Sequence, residues 1–186
     1  GFNVTDDGEG GKDRLVGVEN IVGSNQLDTI IGDVSNNIFE GGDSDDTLKG
    51  GSGLDTLYGD AGDDTFFVFS YTDYMVGGSK DGDTGDTNDI VDYSDVTANG
   101  VNVNLSTNSA TGDGNDQIHN IENIRGSGLD DTLTGDSGVN TIFGGGGADT
   151  ISGGGAVDTL YGEGGDDTLR GDVGDDILYG GDTTTD

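Results

Sequence analysis

A period of nine residues in the large apolar positions is the feature that most constrains this chain. One series runs from Ile21 to Phe66 and a second from Ile124 to Leu178, each in steps of nine. An acidic or amide residue stands two positions before each apolar residue, at the end of a glycine-rich stretch of six. Self-similarity at a short fixed period is typical of a solenoid, in which each unit packs mainly on its neighbours.

Without the repeat, the composition would predict disorder. Only 29% of the residues are hydrophobic and the net charge is −32, so self-repulsion is high and apolar burial is small. The acidic excess opposes binding to nucleic acid. No apolar run is long enough to span a membrane. The chain has no Cys, which excludes a disulfide framework and a thiolate metal site. We expect bound cations to supply the missing stability.

The spacing within each unit predicts a flat coil of two turns and two short strands. Six turn residues are followed by three strand residues, so two units make a coil of eighteen. The apolar residue in the middle of each strand points inward and its neighbours point outward. The outward residue before it is usually Thr, as at Thr47 and Thr150, and Thr suits a half-exposed strand. The sequence therefore predicts an all-β fold, a parallel β-roll with two arrays joined by a short capping β segment.

The acidic positions predict metal sites between coils. Residues eighteen apart stack about 4.8 Å apart on one edge of the roll, where neighbouring carboxylates repel each other unless a cation lies near. Oxygen ligands without Cys, and with a single His, favour calcium over zinc or copper. Seven pairs follow from the spacing, which predicts about seven calcium ions: Asp28 with Asp46, Asn37 with Asp55, Asp46 with Asp64, Asp131 with Asp149, Asn140 with Asp158, Asp149 with Asp167, and Asp158 with Asp176.

The units have the form G-G-x-G-x-D-x-U-x, where U is a large apolar residue, and Gly50–Tyr58 and Gly162–Arg170 lie close to it. About ten units in phase resemble the RTX, or haemolysin-type calcium-binding, repeat family. The resemblance implies that turn carbonyls complete the calcium shell, at Gly42, Gly51, Gly53, Gly62, Gly145, Gly147, Gly154, Gly165 and Gly174. It also implies a bacterial protein exported by a type I system, unfolded at low cytosolic calcium and folded outside the cell.

Several turns depart from the repeat. Residues 23–28 read GSNQLD and residues 32–37 read GDVSNN, while Asn37 and Asn140 carry no charge. We expect weak sites there, and tighter binding in the second array, whose turns at residues 144–149 and 162–167 fit the repeat better.

The two arrays are out of register with each other, so we expect residues 68–123 to interrupt the roll. The predicted division is a first array at residues 1–67, a capping and joining segment at 68–123, and a second array at 124–186. Within the segment, alternation around Val101–Leu105 and Ile90–Tyr93 predicts two strands. Residues 11–24 parallel residues 114–127 at an offset of 103, which indicates an excerpt from a longer tandem protein.

Three further features have two interpretations each. The acidic loop at residues 81–89 is either solvated or a further calcium site, although it lacks the EF-hand string. His119 is either structural or catalytic, and no partner for catalysis is evident. Phe143, Tyr161 and Tyr179 are eighteen apart and form either a self-supporting stack or a platform for sugars or another protein.

The predicted function is an extracellular calcium-binding module without catalytic activity of its own. It would serve export and stability of a larger secreted protein. Two alternatives stay open, a module that binds polysaccharide or a cell surface and an accessory domain of a secreted enzyme. No partner among nucleic acids and no transmembrane segment is expected.

Overall fold

A computed structural model describes residues 3–5, 18–69, 71–78 and 88–181 of the chain, with backbone alone described at 3–5. Almost all of its regular structure is short strand. In chain order the strands are β1 Asn3–Thr5, β2 Asn20–Val22, β3 Thr29–Ile31, β4 Ile38–Asp43, β5 Thr47–Lys49, β6 Thr56–Ala61, β7 Thr65–Phe67, β8 Tyr74–Val76, β9 Ile90–Asp92, β10 Asn102–Asn104, β11 Ser109–Thr111, β12 Asn115–His119, β13 Asn123–Arg125, β14 Thr132–Thr134, β15 Thr141–Gly146, β16 Thr150–Gly155, β17 Thr159–Gly164, β18 Thr168–Val173 and β19 Ile177–Tyr179. One 3₁₀ turn covers Leu105–Thr107.

The strands form two long sheets that face each other. One sheet has eleven strands in the order β1-β2-β4-β6-β8-β12-β11-β10-β14-β16-β18, and the other has eight in the order β19-β17-β15-β13-β9-β7-β5-β3. Successive strands of each array alternate between the sheets, so each coil contributes one strand to each. The all-β parallel roll predicted from the nine-residue period is confirmed.

The register within each sheet is the predicted step of eighteen residues. In the first array Leu48 pairs with Phe66, and in the second Ile142 pairs with Leu160. These apolar residues are fully buried between the sheets, and the flanking Thr residues face outward. The buried apolar core extends from Ile30 to Leu160, whereas Leu178 in the last strand is 43% exposed. The core consists of Ile30, Phe39, Leu48, Leu57, Phe66, Val68, Met75, Val91, Tyr93, Val96, Val101, Val103, Leu105, Ala110, Ile118, Ile121, Ile124, Leu133, Ile142, Ile151 and Leu160.

The joining segment continues both sheets, and the parallel pairing expected to break at residues 68–123 breaks in one sheet only. Strand β8 follows β6 in one sheet, and β9 lies between β7 and β13 in the other. The change of register is absorbed by β10, β11 and β12, which pair antiparallel with one another between β8 and β14. The two strands predicted around Val101–Leu105 and Ile90–Tyr93 are confirmed as β10 and β9.

One column of outward side chains also runs through the join on the eight-stranded sheet. The Lys49 ammonium lies 5.4 Å from the Phe67 ring centroid and 3.0 Å from Asp95 Oδ2. On the other side of the join, Arg125 contacts Asp92 at 3.7 Å and lies 4.4 Å from the Phe143 ring centroid. These contacts attach the joining segment to both arrays.

Candidate metal centres

The acidic residue at position six of each nine-residue unit stacks on its counterpart in the next coil. Its Oδ1 atom accepts a hydrogen bond from the backbone N–H of the residue eighteen positions earlier. The Asp28 N–H reaches Asp46 at 2.8 Å, and the Asp131 N–H reaches Asp149 at 2.8 Å. The same bond joins Asn37 to Asp55, Asp46 to Asp64, Asn140 to Asp158, Asp149 to Asp167, and Asp158 to Asp176. The seven pairs predicted from the spacing are therefore neighbours in the fold.

The ladder of acids continues through the joining segment, which the sequence analysis missed. The Asp55 N–H donates to Asp73 Oδ1 at 2.9 Å, and the Asp73 N–H donates to Asp116 Oδ1 at 3.0 Å. On the other edge, the Asp64 N–H donates to Asp89 Oδ1 at 2.7 Å. Asp73 had a usable signal, because it stands nine residues after Asp64. Asp89 had none, because it stands 25 residues after Asp64 and so lies outside the nine-residue phase.

In five of these turns the aspartate has a buried second oxygen that accepts no hydrogen bond. We call these open turns, and their aspartates are Asp46, Asp55, Asp149, Asp158 and Asp167. A buried carboxylate oxygen without a donor is costly, by roughly 1–3 kcal/mol or more for a charged group. Burial accordingly raises the pKa of Asp46 to about 7 and the pKa of Asp149 to about 6. Burial also raises the pKa of Asp55 and of Asp158. These oxygens need a cation or a proton.

The glycine at position one forms a cradle beside that oxygen. A Cβ atom built on Gly144 would lie 2.4 Å from Asp149 Oδ2 and 2.6 Å from the Gly162 carbonyl oxygen in the next coil. A Cβ on Gly153 would meet Asp158 Oδ2 at 2.4 Å and the Gly171 carbonyl at 2.8 Å. A carboxylate oxygen and a carbonyl oxygen thus converge where any side chain would intrude. These position-one carbonyls were absent from the predicted ligands, although every array unit has Gly there.

Four other turns use the same aspartate or asparagine differently, and we call them closed turns. Here the backbone N–H of position two donates to the side chain of position six. The Ser24 N–H reaches Asp28 Oδ2 at 2.6 Å, and the Ser127 N–H reaches Asp131 Oδ2 at 2.6 Å. Asp33 and Asp136 donate in the same way to Asn37 and Asn140, at 3.3 and 2.8 Å. A protein donor thus occupies the oxygen that an open turn leaves exposed to the cradle.

The closed turn at residues 126–131 is the most fully hydrogen-bonded. The Ser127 hydroxyl lies 2.9 Å from Asp131 Oδ1 and 3.1 Å from Oδ2, and the Val101 N–H donates to Oδ1 at 2.7 Å. Burial raises the pKa of Asp131, while these donors oppose the rise. Asp131 therefore has protein partners for both oxygens, although the nine-residue period places it in the same position as Asp149.

Backbone conformation separates the two kinds of turn. The nine glycines predicted to supply carbonyls all have φ between +98° and +154°. At Gly145 the φ of +100° turns the position-two peptide, and a Cβ there would lie 2.0 Å from the Ser127 carbonyl oxygen. Ser127, at position two of the closed turn, does not have a positive φ. Left-handed backbone at position two therefore accompanies the open state of the aspartate.

The donor atoms fit a hard cation. Among the described residues, no three His, Cys, Asp or Glu side chains converge on one point. Backbone carbonyls must then supply the remaining ligands, and mixed carboxylate and carbonyl oxygen shells are typical of calcium. The absence of thiolate from the chain argues against zinc, copper and iron–sulfur centres.

The structure describes two of the three features that had two interpretations, His119 and the aromatic stack. Asp81, Asp83 and Asp86 of the acidic loop lie outside the described residues. His119 packs against Tyr74, with ring centroids 5.2 Å apart. On the outer face, Phe143, Tyr161 and Tyr179 stack in parallel, with successive centroids 4.8 Å apart. Because the rings cover each other's faces, the geometry favours a self-supporting stack over a sugar platform.

The fold and its turns define a β-solenoid whose coils meet at stacked carboxylates and carbonyls. Within the described residues, no helix is long and apolar enough to cross a membrane. A family model for the RTX calcium-binding nonapeptide repeat matches four times, at residues 16–48, 40–68, 125–160 and 152–183, which together cover more than half of the chain. The chain belongs to this family. A search of curated proteins finds no match. RTX repeats bind calcium and are typical of proteins secreted by type I systems.

Proposed function

We propose that calcium held in the open turns drives folding of this roll, and that the module serves export and stability of a larger secreted protein. The observation that carries the proposal is the set of five buried carboxylate oxygens that accept no hydrogen bond. The predicted ligands on the carboxylate side are Asp28, Asp46, Asp55, Asp64, Asp131, Asp149, Asp158, Asp167 and Asp176, with the amides of Asn37 and Asn140. On the carbonyl side we add the position-one glycines to the nine turn glycines.

The two kinds of turn rank the seven predicted pairs. In three pairs the first member belongs to an open turn: Asp46 with Asp64, Asp149 with Asp167, and Asp158 with Asp176. In the other four the first member belongs to a closed turn and already has a backbone donor. We therefore assign the strong calcium sites to the five open turns. Three of these turns supply the first member of an open pair, and the other two are the turns of Asp55 and Asp167. The closed pairs are weak sites in this proposal.

The energetics support dependence on calcium. Most array units bury a single apolar residue, so apolar burial alone stabilises each unit little against the backbone entropy lost when nine residues become ordered. Calcium that binds the folded roll and not the unfolded chain stabilises the fold by mass action. Cations also remove part of the self-repulsion of a chain with net charge −32.

In this proposal the three parts of the chain, residues 1–67, 68–123 and 124–186, have different roles. The arrays bind calcium and the joining segment aligns them. No catalytic constellation enters the proposal, because the stacked aspartates recur at a fixed period and RTX rolls are typically non-catalytic. Secretion is proposed from the family, whose members are usually secreted.

Far-ultraviolet circular dichroism during a calcium titration tests the proposal. We expect a cooperative gain of β signal as calcium rises from a chelated baseline. Magnesium should substitute poorly, because it demands a smaller and more regular shell. A full β spectrum in excess chelator, unchanged by calcium, would contradict the proposal.

A further inference from the structure

The middle of the roll differs from the open turns of the two arrays in how its ladder residues are satisfied. We define the central block as residues 88–140, which contains β9 to β14. In this block the Tyr93 hydroxyl donates a hydrogen bond to Asp116 Oδ2 at 3.3 Å, and the Asp73 N–H donates one to Asp116 Oδ1 at 3.0 Å. Asp131 is satisfied by Ser127 and Val101, as described above. At Asp116 and Asp131 the ladder therefore has protein donors for both carboxylate oxygens.

The same holds on the other edge of the block. Glu122 Oε2 accepts the Asp89 N–H at 3.1 Å. Asn140 accepts the Asp136 N–H at 2.8 Å and donates through Nδ2 to the Glu122 carbonyl at 2.7 Å. An amide can do both at once, whereas a carboxylate could not donate. Asn140 thus replaces a charged ladder residue by a neutral one with its own partners.

The block also has the densest apolar core of the molecule. Of the buried apolar residues given above, eleven lie within residues 88–140, whereas residues 141–181 contain three, Ile142, Ile151 and Leu160. Tyr93, Val103 and Ile118 are each at most 1% exposed. The block can therefore gain much more stability from apolar burial per residue than an array coil can.

Local connections favour the block as well. Strands β10, β11 and β12 follow one another as antiparallel neighbours, so their contacts close short loops. The 3₁₀ turn between β10 and β11 begins where Asn104 Oδ1 accepts the Thr107 N–H and ends at Asn108, whose φ is +55°. Contacts between residues close in sequence form faster and with less loss of entropy than the stacking of distant coils.

We propose that the central block is a calcium-independent folding nucleus on which both arrays are assembled when calcium binds. The inference rests on the proposed function for the arrays and adds the place where folding begins. Strand β9 then offers its edge to β7 of the first array, and β13 and β14 offer theirs to β15 and β16 of the second. The order of assembly is thus from the centre outward in both directions.

Hydrogen exchange followed by mass spectrometry on the full chain tests this inference. In calcium, we expect slow exchange at residues 101–121 and at residues 144–164. In chelator, residues 101–121 should exchange at least about tenfold more slowly than residues 144–164, because only the block keeps its structure. Equal exchange of the two segments in chelator would overturn the inference. If calcium failed to protect residues 144–164, the proposed function would fail instead, and the two failures are distinguishable.

Two tyrosines in different parts of the molecule provide a test variant and a control variant for the nucleus. Tyr93→Phe removes the hydroxyl that Asp116 accepts, so it should speed exchange at residues 101–121 in chelator by about threefold or more. Tyr161→Phe removes a hydroxyl from the outer aromatic stack and should leave that segment unchanged. An equal response to both variants would overturn the role given to the Tyr93–Asp116 bond in the nucleus.

Discussion

The turns at residues 126–131 and 144–149 lie one coil apart on the same edge and place an aspartate at the same position. In the first, Asp131 accepts hydrogen bonds from the Ser127 N–H and hydroxyl. In the second, Asp149 Oδ2 is buried and accepts none. The difference lies at position two, where Ser127 is followed one coil later by Gly145 with φ +100°. The comparison teaches that the backbone conformation at position two of the repeat, left-handed at Gly145 and also at Glu163 in the open turn of Asp167, separates acids that accept a protein donor from acids open to a cation.

The largest effect is expected from filling the cradle of an open turn. Gly144→Ala places a Cβ 2.4 Å from Asp149 Oδ2, so it should abolish calcium binding at this turn and destabilise the calcium-loaded fold by about 2 kcal/mol or more. Gly146→Ala is the matched control two residues away, because its Cβ would have no neighbour nearer than 3.7 Å. Urea unfolding of both variants in excess calcium measures the difference. Equal stability of the two would mean that the cradle is unimportant.

A smaller effect is expected from neutralising one acid in each kind of turn. Asp149→Asn should remove about one bound calcium and raise the calcium midpoint by roughly three- to tenfold, an effect of about 1 kcal/mol. Asp28→Asn keeps an oxygen that can accept the Ser24 N–H, so the midpoint should change little. Calorimetric titration reports both the number of ions and the midpoint. Loss of an ion in Asp28→Asn would show that closed turns also bind calcium.

The position of an acid within the second array should matter less than the kind of turn, but in a defined direction. Asp149 is fully buried and lies between Asp131 and Asp167 in the ladder, whereas Asp176 lies in the last described coil and is partly exposed. Asp149→Ala should therefore raise the calcium midpoint more than Asp176→Ala, because a defect in the middle of a stack separates its coils. If Asp176→Ala had an equal or greater effect, folding of this array would begin at its outer end, against the direction proposed above.

The smallest effect is expected from pH in the absence of calcium. Burial raises the pKa of Asp46 from 3.8 to about 7 and that of Asp149 to about 6. Between about pH 4 and pH 7 the folded chain without calcium therefore holds more protons than the unfolded chain, so its stability falls as pH rises through this window. Acidification from pH 7.5 to pH 5 in calcium-depleted buffer should increase the β signal.

A calcium-saturated sample is the control for the pH experiment. Protons and calcium compete for the same carboxylates, so acidification should raise the calcium midpoint. A β signal that decreased on acidification of the calcium-free chain would contradict the burial of unpaired acids in the open turns.

Much of the fold could be predicted because the repeat is regular. A spacing of nine with one inward residue per unit fixes the coil, the two sheets and the register, as the pairing of Leu48 with Phe66 shows. The course of residues 68–123 could not be predicted, because β9 lies outside the nine-residue phase and β10 to β12 reverse direction. Their pairing depends on contacts such as that of Val101 with Asp131, thirty residues apart.

The candidate site was predictable only at the level of residue type. The period alone identifies Asp131 and Asp149 as equivalent and does not predict which oxygen has a donor. The distinction depends on the direction of one peptide N–H, at Ser127 or at Gly145. A serine at position two of the closed turns at residues 23–28 and 126–131 is a signal in hindsight, but Asp33 and Asp136 act in the same way with a different side chain.

The most direct test of the division into open and closed turns is an anomalous difference map from crystals grown in calcium. We expect peaks beside Gly41, Gly144 and Gly153, where Asp46, Asp149 and Asp158 direct a free oxygen towards a carbonyl of the next coil. We expect no peak beside Gly126 or Gly135, where Ser127 and Asp136 donate to the ladder residue. Peaks of equal height beside Gly126 and Gly144 would show that open and closed turns bind calcium alike.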